Sequence, residues 1–139
     1  MRFMILVKAN ADSEAGTLPS TEDLAEMGRY NEELVKAGVM LAGEGLHPSS
    51  RGARVKFSGS ERTVVDGPFA ATEELLAGFW LIQVKSREEA LEWVRRIPFR
   101  EGEVEVRQVA EAADFAASDP TGELMAAEER LRAQVAGQA

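Results

Sequence analysis

Histidine occurs once in this 139-residue chain, at His47, and cysteine does not occur. These two facts bound the available chemistry. Without cysteine there is no thiolate nucleophile, no disulfide and no sulfur-ligated zinc or iron–sulfur site. With one histidine a multi-histidine metal site is excluded, and any imidazole chemistry runs through His47. An unperturbed imidazole titrates near pH ~6.5, which suits a general acid or base at neutral pH. Such a base needs an orienting acid, and Asp66 is the candidate. It opens the tetrapeptide Asp66-Gly67-Pro68-Phe69, and a carboxylate reaching the ring would fix its tautomer and stabilise the imidazolium. Glu44 lies between Gly43 and Gly45, three residues before His47. A buried carboxyl has a raised pKa and can shuttle protons, so Glu44 is a second candidate acid or base. Strand alternation sets Glu44 and His47 on opposite faces unless a bulge intervenes.

Each residue also has a plainer reading. His47 ends a strand beside two glycines, where the backbone leaves room for a ligand; plainly read, it is a surface or half-buried histidine with a solvent partner. Glu44 is an edge-strand charge facing water. Asp66 holds a turn by bonding backbone amides two residues on, with Gly67 and Pro68 shaping the turn and Phe69 anchoring it. A rigid turn is also a good platform for a carboxylate, so the two readings of Asp66 are compatible. Arg2, Arg29 and Arg54 either bind an anionic substrate or sit in solvated ion pairs. Phe79, Trp80 and Met4 line either a small-molecule pocket or a core. The expected catalytic set is therefore His47, Asp66 and Glu44, with no metal and no cofactor.

The formal net charge is -8. A surface of that sign repels phosphate backbones, so nucleic acid is not an expected partner. The tightest basic pair, Arg95-Arg96, falls in the last turn of a predicted helix, where cations complement the helix dipole. No signal peptide and no apolar run near ~18 residues is evident, so a soluble cytoplasmic protein with no membrane partner is expected.

The elements that must position these residues follow from periodicity and punctuation. "RFMILVK", residues 2–8, predicts a buried strand. Residues 10–19 predict a loop. Ser20 caps a helix to about Ala37, stopped by Gly38, with Leu24, Met27, Asn31, Leu34 and Val35 on one face. Residues 39–47, "VMLAGEGLH", predict a strand whose glycines mark a bulge or a close approach. Residues 53–57 and 62–65 predict a hairpin turning at "SGSE". "GFWLIQV", residues 78–84, predicts the most apolar strand. Ser86-Arg87-Glu88-Glu89 is a capping box opening a helix that ends before Pro98, with Leu91, Val94 and Ile97 inward. "EVEVRQV", residues 103–109, alternates as a strand with one wet face.

The order is β-α-β, a hairpin, then β-α-β: an α+β, ferredoxin-like core with an inserted hairpin. Two helices cover one sheet face. Met4, Leu6, Trp80 and Ile82 are expected to line the other, and a second copy of the chain is its expected cover. From Glu111 the composition turns to Ala, Glu and Arg. Residues 1–110 are expected to form the domain and 111–139 a C-terminal helical extension, with Asp119-Pro120 as cap and first helical residue of a helix over 121–136. That helix carries Leu124, Leu131 and Val135 on a partial stripe.

Taken together, "VMLAGEGLHP", "TVVDGPFAATEELLAGFWLIQV", "EALEWVRRIP" and "EVEVRQV" resemble the DGPF branch of the YCII-related domain family. The resemblance spans about residues 1–110. It implies a dimeric α+β barrel, two ferredoxin-like subunits packed sheet to sheet. YCII-type relatives are proposed enzymes with a His–Asp pair in a pocket, and one acts as a dehydrochlorinase in chloroaromatic breakdown. Their histidine lies on the first helix, where this chain reads Ala25 to Tyr30 without one. DGPF proteins commonly continue "AETKE"; here Ala71 stands in place of the glutamate and Glu73 in place of the lysine. Two functions follow as expectations. One is a cofactor-free lyase or isomerase acting by proton transfer on a small cyclic or aromatic metabolite. The other is a non-catalytic ligand-binding or accessory module, which the resemblance associates with regulatory systems.

Overall fold

The computed structural model describes residues 1–70 and 74–138. The chain divides into two compact units, Met1–Gln108 and Val109–Ala139. The first contains β1 (Arg2–Lys8), a helical turn α1 (Ala11–Glu14), α2 (Thr21–Lys36), β2 (Met40–Gly45), β3 (Ala53–Ser58), β4 (Glu61–Asp66), β5 (Leu76–Gln83), α3 (Arg87–Arg95) and β6 (Val104–Gln108). One sheet has the order β2-β5-β1-β6, with every neighbouring pair antiparallel. β3 and β4 form a separate two-stranded sheet. This is the ferredoxin-like order with a hairpin inserted between its halves, as the element spacing predicts.

Local signals account for the boundaries. Ser20 Oγ accepts the Asp23 amide at 3.1 Å and Ser86 Oγ accepts the Glu89 amide at 3.1 Å, so both long helices start at the capping serines. The stretch expected as a loop after β1 instead holds α1. Asn10 Oδ1 accepts the Ser13 amide at 2.9 Å while Ser13 Oγ accepts the Asn10 amide at 2.9 Å, a reciprocal cap that closes one turn.

The core lies between the four-stranded sheet and the helices. Phe3, Ile5, Tyr30, Leu34, Trp80, Ile82, Ala90 and Ile97 are all buried there. Trp80 meets Tyr30 edge-on at 5.6 Å between ring centroids, and its Nε1–H donates to Asn31 Oδ1 at 2.9 Å. Tyr30 Oη donates to the Trp93 carbonyl at 2.8 Å and so ties α2 to α3. Two expectations need correcting. The inward stripe of α2 is Met27, Tyr30, Asn31 and Leu34, whereas Leu24 and Val35 are exposed. Trp80 and Ile82 belong to the helix-covered face, because Ile5 pairs with Trp80 and Phe3 with Ile82. The opposite face presents Met4 paired with Leu81 and Leu6 paired with Phe79, all half-exposed in the single chain.

The second unit contains a 3-10 helix, Ala112–Ser118, and α4, Glu123–Gly137. Pro120 is not its first helical residue. The buried Asp119 carboxylate accepts the Leu124 amide at 3.2 Å and the Met125 amide at 2.9 Å, and Gly122 at φ 77 turns the chain into the helix.

The two α2 leucines differ sharply in environment, Leu34 being 0% and Leu24 59% exposed. Leu34→Ala is expected to cost about 2–5 kcal/mol in urea unfolding, and Leu24→Ala to stay within about 0.5 kcal/mol of the parent.

Candidate functional site

β2 runs along β5 until Gly45 and then delivers His47 into the connection to β3. Of the two glycines of "AGEG", Gly43 acts in packing, whereas a Cβ on Gly45 would meet open space. A Cβ on Gly43 would lie 2.7 Å from Met40 Cε and 2.9 Å from Trp80 Cδ1, so Gly43 lets the edge strand close over the indole. A Cβ on Gly78 of β5 would lie 2.8 Å from the Glu44 carbonyl, which sets the same close approach from the other side.

His47 is exposed, and its Nε2 lies 3.1 Å from Arg51 Nη1. A guanidinium only donates, so in this contact Nε2 is the acceptor and the ring proton sits on Nδ1. Asp66 ends β4 opposite Ala53 and is exposed. Among the described residues no hydrogen bond or ion pair joins His47 to Asp66. The expected Asp66 turn bond is not formed either. The amide two residues on would belong to Pro68, which has none, and the next amide, Phe69, donates instead to Ser49 Oγ at 3.0 Å. Glu44 is exposed, pairs with Phe79, and occupies the sheet face away from the helices. The three candidates are thus presented separately in the single chain.

What organises the loop is Ser49, which the sequence did not single out. Its amide donates to Glu14 Oε2 at 2.9 Å and its hydroxyl donates to Glu14 Oε1. The hydroxyl oxygen in turn accepts the Phe69 amide. Gly67 donates to the Gly52 carbonyl at 2.9 Å, and the Gly67–Pro68 peptide bond that follows is cis. A Cβ on Gly67 would lie 1.8 Å from the Ser49 carbonyl oxygen, so only glycine fits against this turn. Arg54 covers Phe69, with Cζ 3.9 Å from the ring centroid, a cation–π contact that closes the loop on the hairpin side. The hydroxyl and amide of Ser49, in that order, hold the Glu14 carboxyl below its ordinary value.

The Tyr30 phenol is not available for proton transfer at neutral pH. Burial pushes the Tyr30 phenol up to about 12, and its proton is committed to the Trp93 carbonyl. Arg29 lines a cleft of about 230 Å³ with Glu26, Tyr30, Glu33, Arg96 and Pro98, which contains none of the three candidates. Within the C-terminal unit, Phe115, Met125, Glu128 and Arg132 border a cleft of about 220 Å³. Among the described residues no group of three His, Cys, Asp or Glu side chains is placed to hold a metal ion. None of the helices built from them is long and apolar enough to cross a membrane. Ala71 and Glu73 lie outside the described residues.

A sequence model of the YCII-related domain family matches residues 1–113. An uncharacterised protein of Rhizobium meliloti is 33% identical over 107 residues, covering 73% of this chain and 86% of the relative. Among solved structures, a 5-chloro-2-hydroxyhydroquinone dehydrochlorinase of Burkholderia phenoliruptrix, in complex with 2,5-dihydroxybenzoquinone, aligns over 80% of this chain and 95% of its own at a TM-score of 0.42 and 14% identity. At that level of likeness the neighbour bears on neither the substrate nor the reaction of this chain. The chain belongs to the YCII-related domain family.

The Ser49 contacts predict a local, acid-sensitive clamp. Ser49→Ala removes the acceptor of the Phe69 amide and is expected to speed hydrogen exchange there by roughly 10-fold, about 1–2 kcal/mol of local stability. Because the folded Glu14 carboxyl is depressed, its contribution is present at neutral pH and is lost as pH falls through the lowered value. Exchange at Phe69, after correction for intrinsic rates, should therefore become faster on acidification in the parent and stay flat in Glu14→Gln.

Proposed function

We propose that this member of the YCII-related domain family works as a homodimeric module that binds a small anionic metabolite beside His47. One observation carries the reading: among the described residues the His47 ring is engaged by a guanidinium, Arg51, and by no carboxylate. The surrounding sequence has the same sense. Between Glu44 and Glu61 the chain has no acidic residue, yet it contains His47, Arg51, Arg54 and Lys56, in a protein of net charge -8. An anion arriving there meets forked donors without a competing carboxylate from that stretch. The rigid neighbour is the Phe69 loop, pinned through Ser49 and Arg54. The homodimer is supported by the half-exposed Met4, Leu6, Phe79 and Leu81 on the uncovered sheet face, an apolar surface that a second copy would bury.

A second reading is a cofactor-free lyase or isomerase acting by proton transfer, and the same Arg51 contact favours it. A substrate carboxylate or phenolate pairing with Arg51 would draw the guanidinium off the ring and leave the Nε2 lone pair free to take a proton. His47 is then the base. Asp66 would serve as its orienting partner only after moving to the ring, and Glu44 would be the second acid or base.

Titration with small carboxylates, phenolates and phosphates, followed by the ring resonances of His47, tests both readings. Binding should shift those resonances, and Arg51→Ala should weaken it by about 10-fold or more. Anions that leave His47 unmoved at saturating levels would sink the binding reading. If a bound compound is also turned over, His47→Ala should abolish turnover while the chain stays folded; retained turnover would remove the catalytic assignment.

A further inference from the structure

The β3–β4 hairpin is left bare by the rest of the first unit. Every residue of Ala53–Ser58 and Glu61–Asp66 is exposed. A two-stranded hairpin alone is marginal in water, so this one calls for a cover. Its two faces differ. Val55 pairs with Val64 and Phe57 with Arg62, placing Val55, Phe57 and Val64 together on one face at 47%, 70% and 65% exposure. The other face carries Arg54 and Lys56, with Arg54 turned onto Phe69.

The geometry points to a dimerisation arm: the hairpin lays its Val55–Phe57–Val64 face on a second copy of this chain. The inference rests on the homodimer reading above and names the additional surface that homodimer uses. Charge supports this occupant. The hairpin, residues 53–66, carries Arg54, Lys56 and Arg62 against Glu61 and Asp66, a net +1, which leaves -9 on the remainder of a chain of net charge -8. A basic arm on an acidic body is complementary to another copy of that body.

Area supports it too. Strands ~4.8 Å apart and ~20 Å long give the uncovered face of the four-stranded sheet about 400 Å² per chain, or about 800 Å² for two. A stable dimer buries about 1,200–2,000 Å². Each hairpin face offers about 200 Å² and covers as much again on its partner, so two arms raise the total to about 1,600 Å². On this footprint measure the arms double what the sheet faces alone would bury.

Sedimentation equilibrium on the full chain, across protein and salt concentration, tests the arm. The parent should dimerise. The double variant Phe57→Ser, Val64→Thr should raise the dimer Kd by about 10-fold or more with its circular dichroism and thermal melt retained, because neither side chain is part of the buried core and Phe57 meets the Arg62 guanidinium of its own hairpin, 4.7 Å from the ring centroid. Lys56→Glu should weaken the dimer in low salt and lose that effect in high salt. Phe57→Leu should restore most of the affinity. A parent that dimerises with a Kd unchanged by both arm variants overturns the arm and leaves the homodimer standing. A parent that stays monomeric at every concentration overturns the homodimer and the arm with it. Leu81→Glu, on the uncovered sheet face, separates the two surfaces, since it should dissociate the dimer whether or not the arm contributes.

Discussion

The contact between Gly67 and the Ser49 backbone decides where Asp-Gly-Pro-Phe can lie. A single methyl-sized atom on residue 67 would overlap the Ser49 carbonyl oxygen, so the loop and the 48–52 turn approach as bare backbone or not at all. Once they are that close, the Ser49 hydroxyl is within reach of the Phe69 amide, and the same residue takes hold of Glu14 through hydroxyl and amide. Three segments remote in sequence meet on one side chain. The loop after β4 is therefore held by contacts beyond its own four residues, and Asp66 is spared from holding it. Its carboxylate is a spare group on a fixed mount, which is a different thing from a turn former.

Much of the fold was legible because its signals are local. Ser20 and Ser86 announce helix starts through bonds to amides three residues on, and those bonds form. Strand positions follow from apolar runs bounded by turn formers. What local pattern could not supply was which side of the sheet the helices would cover. β1 is apolar on both faces, Phe3 and Ile5 on one and Met4 and Leu6 on the other, so alternation alone is symmetric. Only the pairing of Ile5 with Trp80 breaks the tie, and that register is a long-range fact. The shift between Met40 and Ala42 likewise resets parity along β2 where the sequence offers only its glycines as a hint. α1 was within reach: Asn10 and Ser13 have reciprocal capping spacing, but a short polar segment reads first as a loop.

The candidate site was legible in its markers and opaque in its wiring. Asp-Gly-Pro-Phe identifies a special turn, yet the residue that fixes it, Ser49, sits in "HPSSRG" with nothing to distinguish it from a solvated serine. Glu14 is equally inconspicuous, because a glutamate in a polar loop usually faces water. The spacing of His47 and Arg51 carries meaning on a helix, where i and i+4 share a face, and none in an irregular connection until the Ser49–Arg51 turn brings them together. Glycine was the most ambiguous letter. Gly43 makes room for Trp80 and Gly67 makes room for backbone, whereas sequence reading took the glycines near His47 as space for a ligand.

Strand alternation would let one hairpin serve the proposed ligand and the proposed partner at once. Successive residues of β3 point to opposite faces, so Arg54 reaches Phe69 while Val55 and Phe57 turn the other way. The carboxylate-free stretch from Gly45 to Ser60 thus contributes the Arg54 guanidinium to the Phe69 loop and leaves Val55 and Phe57 on the opposite face, the one proposed to meet a second chain. The two uses are mechanically joined, because β3 and β4 are paired along their whole length and Asp66 lies opposite Ala53 at the root. Seating the arm on a partner would restrain that root, and with it the directions in which Arg54, Phe69 and Asp66 face. In a single chain His47 and Asp66 are each open to solvent; an arm fixed from outside would change that exposure without disturbing the core, since its strands contribute nothing to the buried layer between sheet and helices.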